Sequence, residues 1–368
     1  MRRILVIATP GIGDALLATP LVRSLKLAFP RATIDMIVRD GRAIVDCNPD
    51  LSRVLVRRRR PPFWDDLKFM ARVARRYDLA VSTSTTDRAF IYMLVAASRR
   101  VGVVASLTPK SWWKRKIARC VWADPDVHTL SRNLELAGLL NIERHWGLVI
   151  PGNPPNAETG SEIQRLESSN LPYAVIHMKP ASAAREWPSG YWQSVIESLG
   201  QRGLAVAATG GGDSAERAYV AEILSRWAPG RKNHPGVFDL AGQLSFGDIA
   251  RLLQRATVYI GIDTSTTHVA ASTGVPTIAL FGPTDVVRWG PWPRGLEQTG
   301  SPYRRNEASQ TVGNVTVLQE PCACSALRRP CQLAPGMPGS CMHGILPDRV
   351  LAAMDDALRH PGPSAQAH

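Results

Sequence analysis

Residues 3–8 read Arg3-Ile4-Leu5-Val6-Ile7-Ala8, and residues 9–14 read Thr9-Pro10-Gly11-Ile12-Gly13-Asp14. A continuous apolar run ending in a glycine-rich turn is the pattern of a strand buried on both faces that feeds a helix. The helical spacing starts near Asp14 and runs to about Phe29, where Pro30 stops it. Pro20 inside that stretch predicts a kink or a late helix start. Basic residues before a short apolar run also open signal peptides, but this run breaks at Pro10-Gly11 without a long hydrophobic region. The segment is therefore expected to be the first strand of a cytoplasmic protein.

Outward from this turn the pattern repeats. Strands are expected at 33–38, 79–83 and 100–104, with helices at 63–77 and 88–97. Residues 151–162 (PGNPPNAETGSE) read as a linker. The alternation then restarts, with strands at 173–178, 204–210, 237–242, 257–262 and 277–282. Helices are expected between them at 190–202, 214–228, 245–256 and 266–273. An amphipathic helix at 347–359 precedes a tail, PGPSAQAH, expected to be disordered. Strand–helix alternation on both sides of a linker predicts an α/β protein of two Rossmann-like, doubly wound domains facing across a cleft. The expected divisions are 1–158, 170–346 and a C-terminal helix and tail, 347–368. In such sheets ligands sit beyond the carboxyl ends of the strands, so the loops after each strand carry the functional information.

The formal net charge is +13. That favours an anionic partner: a phosphorylated substrate, a membrane surface or nucleic acid. Arg57, Arg58, Arg59 and Arg60 form one basic run. Arg99, Arg100, Lys110, Lys114, Arg115, Lys116 and Arg119 form another, with Trp112 and Trp113 inside it. Cations beside tryptophans suit peripheral contact with anionic headgroups, or else form a solvated basic face. No apolar run reaches the roughly 18 residues that span a bilayer. Of the six cysteines, Cys322, Cys324, Cys331 and Cys341 cluster late in the chain. The spacing Cys322-x-Cys324 is tighter than zinc knuckles use, so reduced thiols in a packed loop are expected rather than a metal site.

Four loops could carry chemistry. In the first, Gly11 and Gly13 permit a sharp turn and close approach of a ligand. Leu16 stands where a dinucleotide fingerprint wants glycine or alanine, and Asp35 lies inside the second strand instead of ending it. A nicotinamide site is thus disfavoured. Asp14 reads either as a first-turn acid favoured by the helix dipole or as a rigidly held base. In the second loop, Asp263-Thr264-Ser265-Thr266-Thr267-His268 opens a helix with more hydroxyls than one cap requires, which suits a diphosphate. The third loop, residues 177–188, offers Lys179, Ser182 and Arg185 to a phosphate. The fourth offers three glycines, 210–212, and Glu216, whose carboxylate suits ribose hydroxyls.

Together, RRILVIATPGIGDALLATPLVRSL, IHMKPASAAREWP, GGGDSAER and DLAGQLSFGDIARLLQRATVYIGIDTSTTHVAASTGVPTIALFGPTD, with the late cysteine loop, resemble the ADP-heptose:lipopolysaccharide heptosyltransferases. These are glycosyltransferases of family 9 and GT-B fold. The resemblance implies an acceptor site in the N-terminal half and a nucleotide-sugar site in the C-terminal half. Asp14 matches the catalytic base, Arg185 a donor-phosphate cation and Glu216 a nucleoside contact. Asp263, Thr264, Ser265 and His268 match the motif holding sugar and diphosphate. Lys179, Ser182, Thr266 and Thr267 are further phosphate candidates. The chain departs from the family at 177–181 (His-Met-Lys-Pro-Ala for His-Pro-Gly-Ala), at Glu186 and at Ser265, which stands where glycine is frequent.

The implied reaction is inverting transfer of a heptose from ADP-heptose to an anionic, lipid-linked saccharide of the lipopolysaccharide core. It needs no cofactor, because no Asp-x-Asp motif is placed to bridge a metal to diphosphate and a fixed cationic cradle can stabilise the leaving group. The implied location is the cytoplasm, with peripheral contact on the inner face of the cytoplasmic membrane, and no nucleic acid as partner. The serious alternative is a related enzyme with a different sugar or a different acceptor. A nucleotide-dependent oxidoreductase is a weaker one.

Overall fold

The structure is a computed structural model of the chain. It describes all residues except 10, 107–110, 151, 153–160, 181, 228–235, 322–340 and 361–368. Contacts divide the chain into two compact units: Met1–Pro151 with Glu297–Ser301, and Gly152–Leu296 with Pro302–His368. Among the described residues no helix is long and apolar enough to cross a membrane.

The first unit runs β1 (Arg3–Ile7), α1 (Ile12–Leu16), α2 (Thr19–Ala28), β2 (Thr33–Val38), α3 (Arg42–Val45), β3 (Arg53–Val56) and α4 (Phe63–Val73). It continues with β4 (Tyr77–Ser82), α5 (Asp87–Ala96), β5 (Ala97–Val104), α6 (Trp112–Ile117), β6 (Arg119–Trp122) and α7 (Thr129–Leu139). The strands form one parallel sheet ordered β3-β2-β1-β4-β5-β6. Ile4, Leu5, Val6 and Ile7 of β1 are fully buried, as a central strand covered on both faces must be. Pro20 acts at the start of a helix: α1 ends at Leu16 and α2 begins at Thr19, whose hydroxyl donates to Leu16 O at 2.8 Å. Asp35, buried in β2, is held by Arg53 at 2.7 Å and by the Tyr77 hydroxyl at 2.7 Å, so it belongs to the scaffold.

The second unit runs α8 (Ser161–Ser168), β7 (Tyr173–His177), a 3-10 turn (Ala183–Arg185), α9 (Ser189–Gln201), β8 (Ala205–Thr209), α10 (Ser214–Leu224) and β9 (Val237–Asp239). Then come α11 (Phe246–Arg255), β10 (Val258–Ile262), α12 (Ser265–Thr273), β11 (Thr277–Phe281), α13 (Val286–Trp289), β12 (Ser309–Val312), β13 (Val315–Gln319) and α14 (Pro347–Arg359). The sheet order is β12-β13-β11-β10-β7-β8-β9, parallel except for the β12–β13 hairpin. Trp187 and Trp192 meet edge to face at 4.7 Å in the core, and Val350, Leu351 and Met354 of α14 pack into the same cluster. The Trp187 indole donates to Ile345 O at 2.8 Å, tying the loop after β7 to the chain entering α14.

Four strands lie outside the expected set: β3, β6, β12 and β13. The expectations at Cys322, Cys324, Cys331 and the C-terminal tail lie outside the described residues. Cys341 is described and buried.

Candidate functional site

Each sheet reverses its winding at one place, and there the loops on either side part to leave room for a ligand. In the second unit this point lies between β10 and β7. The β10 loop and the loop after β7 are bridged there by Arg185, whose Nη1 donates to the Asp263 carboxylate at 2.9 Å and to the Asp263 carbonyl at 3.0 Å. Asp263 is almost fully buried, and Arg185 retains solvent contact. The pairing neutralises the Asp263 carboxylate, and the remaining guanidinium N–H groups make no bond to a described residue.

Thr264 caps α12 in extended conformation, but its side chain makes no capping bond. No described residue accepts from the amides of Ser265, Thr266 and Thr267. A nine-residue helix thus opens on uncapped N–H groups and the positive end of its dipole. Oxygen atoms of a phosphate satisfy such groups directly. Thr267, expected among the possible phosphate-facing hydroxyls, has its hydroxyl engaged within the fold. It is fully buried, donates to Ile262 O and meets the Tyr259 hydroxyl at 2.8 Å, locking strand to helix. Gly261 makes this possible, because a Cβ there would lie 2.2 Å from the Tyr259 hydroxyl.

His268 is buried with Nδ1 lacking a partner, and burial holds its pKa below the usual histidine value against the opposing pull of Asp263. The ring is therefore a neutral hydrogen-bonding group. His177, at the end of β7, was not expected among the site residues. Burial pushes its pKa down to about 4. The Thr209 hydroxyl donates to Ile176 O at 3.0 Å, so His177 Nδ1 donates to Thr209 at 3.0 Å and Nε2 is left as an acceptor. A buried histidine has no distinctive sequence spacing, which is why only the structure singles it out.

Lys179 is paired with Glu186 and lies 4.5 Å over the Tyr219 ring, so an expected phosphate cation is already neutralised. Ser182 is exposed and gives its carbonyl to the Arg185 amide at 3.0 Å, starting the turn that aims the guanidinium. In the loop after β8, Gly211 N donates to Glu216 Oε1 at 2.7 Å. A Cβ at Gly211 would come within 2.7 Å of Glu216 Oε2, so this glycine lets the carboxylate fold over the loop. Asp213 accepts from Ala215 N at 2.9 Å and thereby caps α10.

In the first unit the winding reverses between β1 and β4. Thr9, after β1, donates to Ser84, after β4, at 3.0 Å. Gly11 begins α1, and Asp14 Oδ2 accepts from the Gly11 amide at 3.1 Å. Gly11 is needed for this approach, since a Cβ there would lie 3.0 Å from Asp14 Oδ2, whereas Gly13 faces open space. Burial raises the Asp14 carboxyl above the usual aspartate range, and Arg132, the Gly11 amide and Arg39 oppose the shift. Beside it lies a cavity of about 330 Å³ lined by Thr9, Arg39, Arg57, Arg58, Arg59 and Arg88, among others. Asp66 engages Arg57 at 2.8 Å and Arg88 at 3.4 Å, while Arg58 and Arg59 have no carboxylate partner among the described residues. The chemistry on offer is a basic carboxylate beside an anion-attracting cavity in one unit, and a phosphate cradle in the other.

A family model described as glycosyltransferase family 9 (heptosyltransferase) matches residues 67–316. The chain is 28% identical over 300 residues to lipopolysaccharide heptosyltransferase 3 of Escherichia coli strain K12, covering 78% of this chain and 84% of that one. Among solved structures it resembles a family 9 glycosyl transferase from Veillonella parvula, with a TM-score of 0.70, 16% identity and coverage of 98% and 97%. It also resembles the E. coli heptosyltransferase WaaC with ADP-2-deoxy-2-fluoro heptose, with a TM-score of 0.63, 19% identity and coverage of 96% and 99%. Those two likenesses establish the fold.

Proposed function

Because the chain belongs to glycosyltransferase family 9 and is a glycosyltransferase, we propose that it moves a heptose from ADP-heptose to a saccharide of the lipopolysaccharide core, inverting the anomeric centre. The observation that carries the chemistry is Asp14: a rigid carboxylate, made more basic by burial, beside a cationic cavity. The name of the E. coli relative supports the acceptor class, and the ligand of the WaaC structure supports the donor.

The acceptor hydroxyl attacks the anomeric carbon as its proton passes to Asp14. The bond from that carbon to the diphosphate oxygen breaks, and ADP leaves with added negative charge. The open amides of α12, the Ser265 and Thr266 hydroxyls and Arg185 stabilise this charge without having to reorganise. Glu216 Oε2, left free when Oε1 takes the Gly211 amide, receives a ribose hydroxyl. His268 and Asp263 frame the sugar. In this assignment residues 1–158 bind the acceptor, whose anionic groups meet Arg58 and Arg59, and residues 170–346 bind the donor. No divalent metal is needed, so transfer should persist in a chelator. The enzyme works in the cytoplasm at the inner face of the membrane, and nucleic acid is not its partner.

Thermal shifts with a panel of nucleotide sugars test the donor. A ligand at about 100 times its Kd stabilises the folded state by about 2.7 kcal/mol. ADP-heptose should give the largest shift, and NMR of the product should show the anomeric configuration opposite to that of the donor. A larger shift with another nucleotide sugar would overturn the heptose assignment, and retained configuration would overturn the single displacement.

A further inference from the structure

The first turn of α4 projects two aromatic side chains into solvent. Phe63 is 71% exposed and Trp64 68%, and the rings meet edge to face at 5.3 Å. Monomeric surfaces rarely leave large apolar groups paired in this way without a partner. Leu67, one turn later, is exposed on the same side as Trp64, while Phe69 and Val73 take the opposite side into the core. The helix therefore has an apolar face of its own that the fold does not cover.

The surroundings of this tip are cationic. Residues 53–76 hold nine arginines and lysines against two aspartates. Asp66 is spent inside the structure on Arg57, Arg88 and the Tyr92 hydroxyl. Arg58, Arg59 and Arg60, just before the tip, have no carboxylate partner among the described residues. Helix α4 packs on α5 and α5 on α6, and each begins after the carboxyl end of a strand. Their first turns therefore share one edge. Trp112, 55% exposed in the first turn of α6, lies on that edge with Lys116 at 5.0 Å from its ring. Two interhelical spacings put it roughly 20 Å from Trp64. Trp113, which the sequence grouped with it, instead packs beside Phe90 of the core at 6.1 Å.

Exposed aromatics among unpaired cations match the boundary of an anionic bilayer, where rings settle at headgroup depth and arginines meet lipid phosphate. A second copy of this chain fits poorly, because it would bring like-charged arginine runs together. We propose that the α4 tip, Phe63 and Trp64 with Arg60, docks on an anionic lipid surface, with Trp112 and the neighbouring Lys116 as a second contact. Resting on the acceptor assignment above, the arginine-lined cavity beside this tip then receives the saccharide of a lipid-anchored acceptor while the lipid stays in the membrane.

The test is co-sedimentation of the full chain with vesicles that contain no saccharide: phosphatidylcholine alone, or phosphatidylcholine with about 30 mol% of the anionic lipid phosphatidylglycerol. Each cation near an anionic surface adds roughly fivefold to affinity, so the native chain should prefer the anionic vesicles by at least about tenfold and lose that preference in high salt. Burying one aromatic ring is worth about tenfold or more, so Phe63→Ser with Trp64→Ser should reduce binding at least about tenfold. That double variant should keep native turnover on a delipidated, soluble acceptor, which also shows that it folds. Equal binding to both vesicle types, no binding at low salt, or native-like binding by the double variant would each overturn the proposal. So would a native dimer that the double variant dissociates. Vesicle binding by a chain that transfers no heptose would leave this inference standing and remove the functional assignment, and transfer without vesicle binding would do the reverse.

Discussion

The two helices that open at the winding reversals, α1 in the first unit and α12 in the second, begin alike and end with opposite electrostatics. Both follow a buried central strand, and both point their first amides at a ligand crevice. In α1 an anion is already built in, because Asp14 accepts from the Gly11 amide and its charge is held at the helix start. In α12 the nearby carboxylate, Asp263, is turned aside and neutralised by Arg185, and the amides stay open. The difference teaches that one topology yields a base or an anion site according to whether a side chain fills the helix start or leaves it for a ligand.

Apart from removing the base itself, the largest way to break this contrast is Arg185→Ala. It removes a donor aimed at the leaving group and leaves the buried Asp263 carboxylate unpaired in the crevice. Steady-state kinetics should show kcat lower by about 10²–10³, with weaker ADP-heptose binding by calorimetry. Unchanged affinity and turnover would mean that the Arg185–Asp263 pair serves the scaffold alone.

A second pair of variants separates the hydroxyls of α12. Thr267→Val removes the buried tie to Tyr259 and Ile262 and should cost about 1–3 kcal/mol of stability in denaturant titration, with donor affinity near native. Ser265→Ala should do the opposite, weakening donor binding several-fold, by about 1 kcal/mol, at native stability. The reversed pattern would put Thr267 back among the phosphate ligands.

The smallest effect concerns pH. A base must be ionised, so kcat/KM should fall as pH drops through the raised pKa of Asp14, on an acid limb lying above the ordinary aspartate value of 3.8. Arg132 is the strongest cation holding that pKa down, so Arg132→Gln should move the limb to higher pH. A limb that stays in place would assign it to another group.

The sequence made the central strands and the loops after them legible, because burial on both faces writes continuous apolar runs such as 3–8 and 257–262. Edge strands β3 and β6 are short and half exposed, so their residues, Arg53 and Arg119 among them, carry no such run. The hairpin β12–β13 had a readable signal in Gly313-Asn314 between two valines, with Gly313 at φ +56°. The site was legible as a set of loops but not as a set of bonds. Arg185 and Asp263 lie 78 residues apart and meet only because β7 and β10 pair in register. In the same way, the Arg57–Arg60 run reads as one basic patch, yet folding sends Arg57, Arg58 and Arg59 to a cavity and gives Arg57 to Asp66.

The most direct test of the contrast is Asp14→Asn, measured for donor binding, turnover and stability in one preparation. The raised pKa means that the folded state binds this proton more tightly than the unfolded chain, so the linked stability is present at low pH and lost as pH rises through the folded value. At neutral pH the ionised carboxylate is a cost, and the amide should leave the melting temperature equal or higher. The account predicts native-like ADP-heptose affinity with turnover lower by about 10²–10⁴. Turnover within tenfold of native, about 1.4 kcal/mol in the barrier, would contradict it.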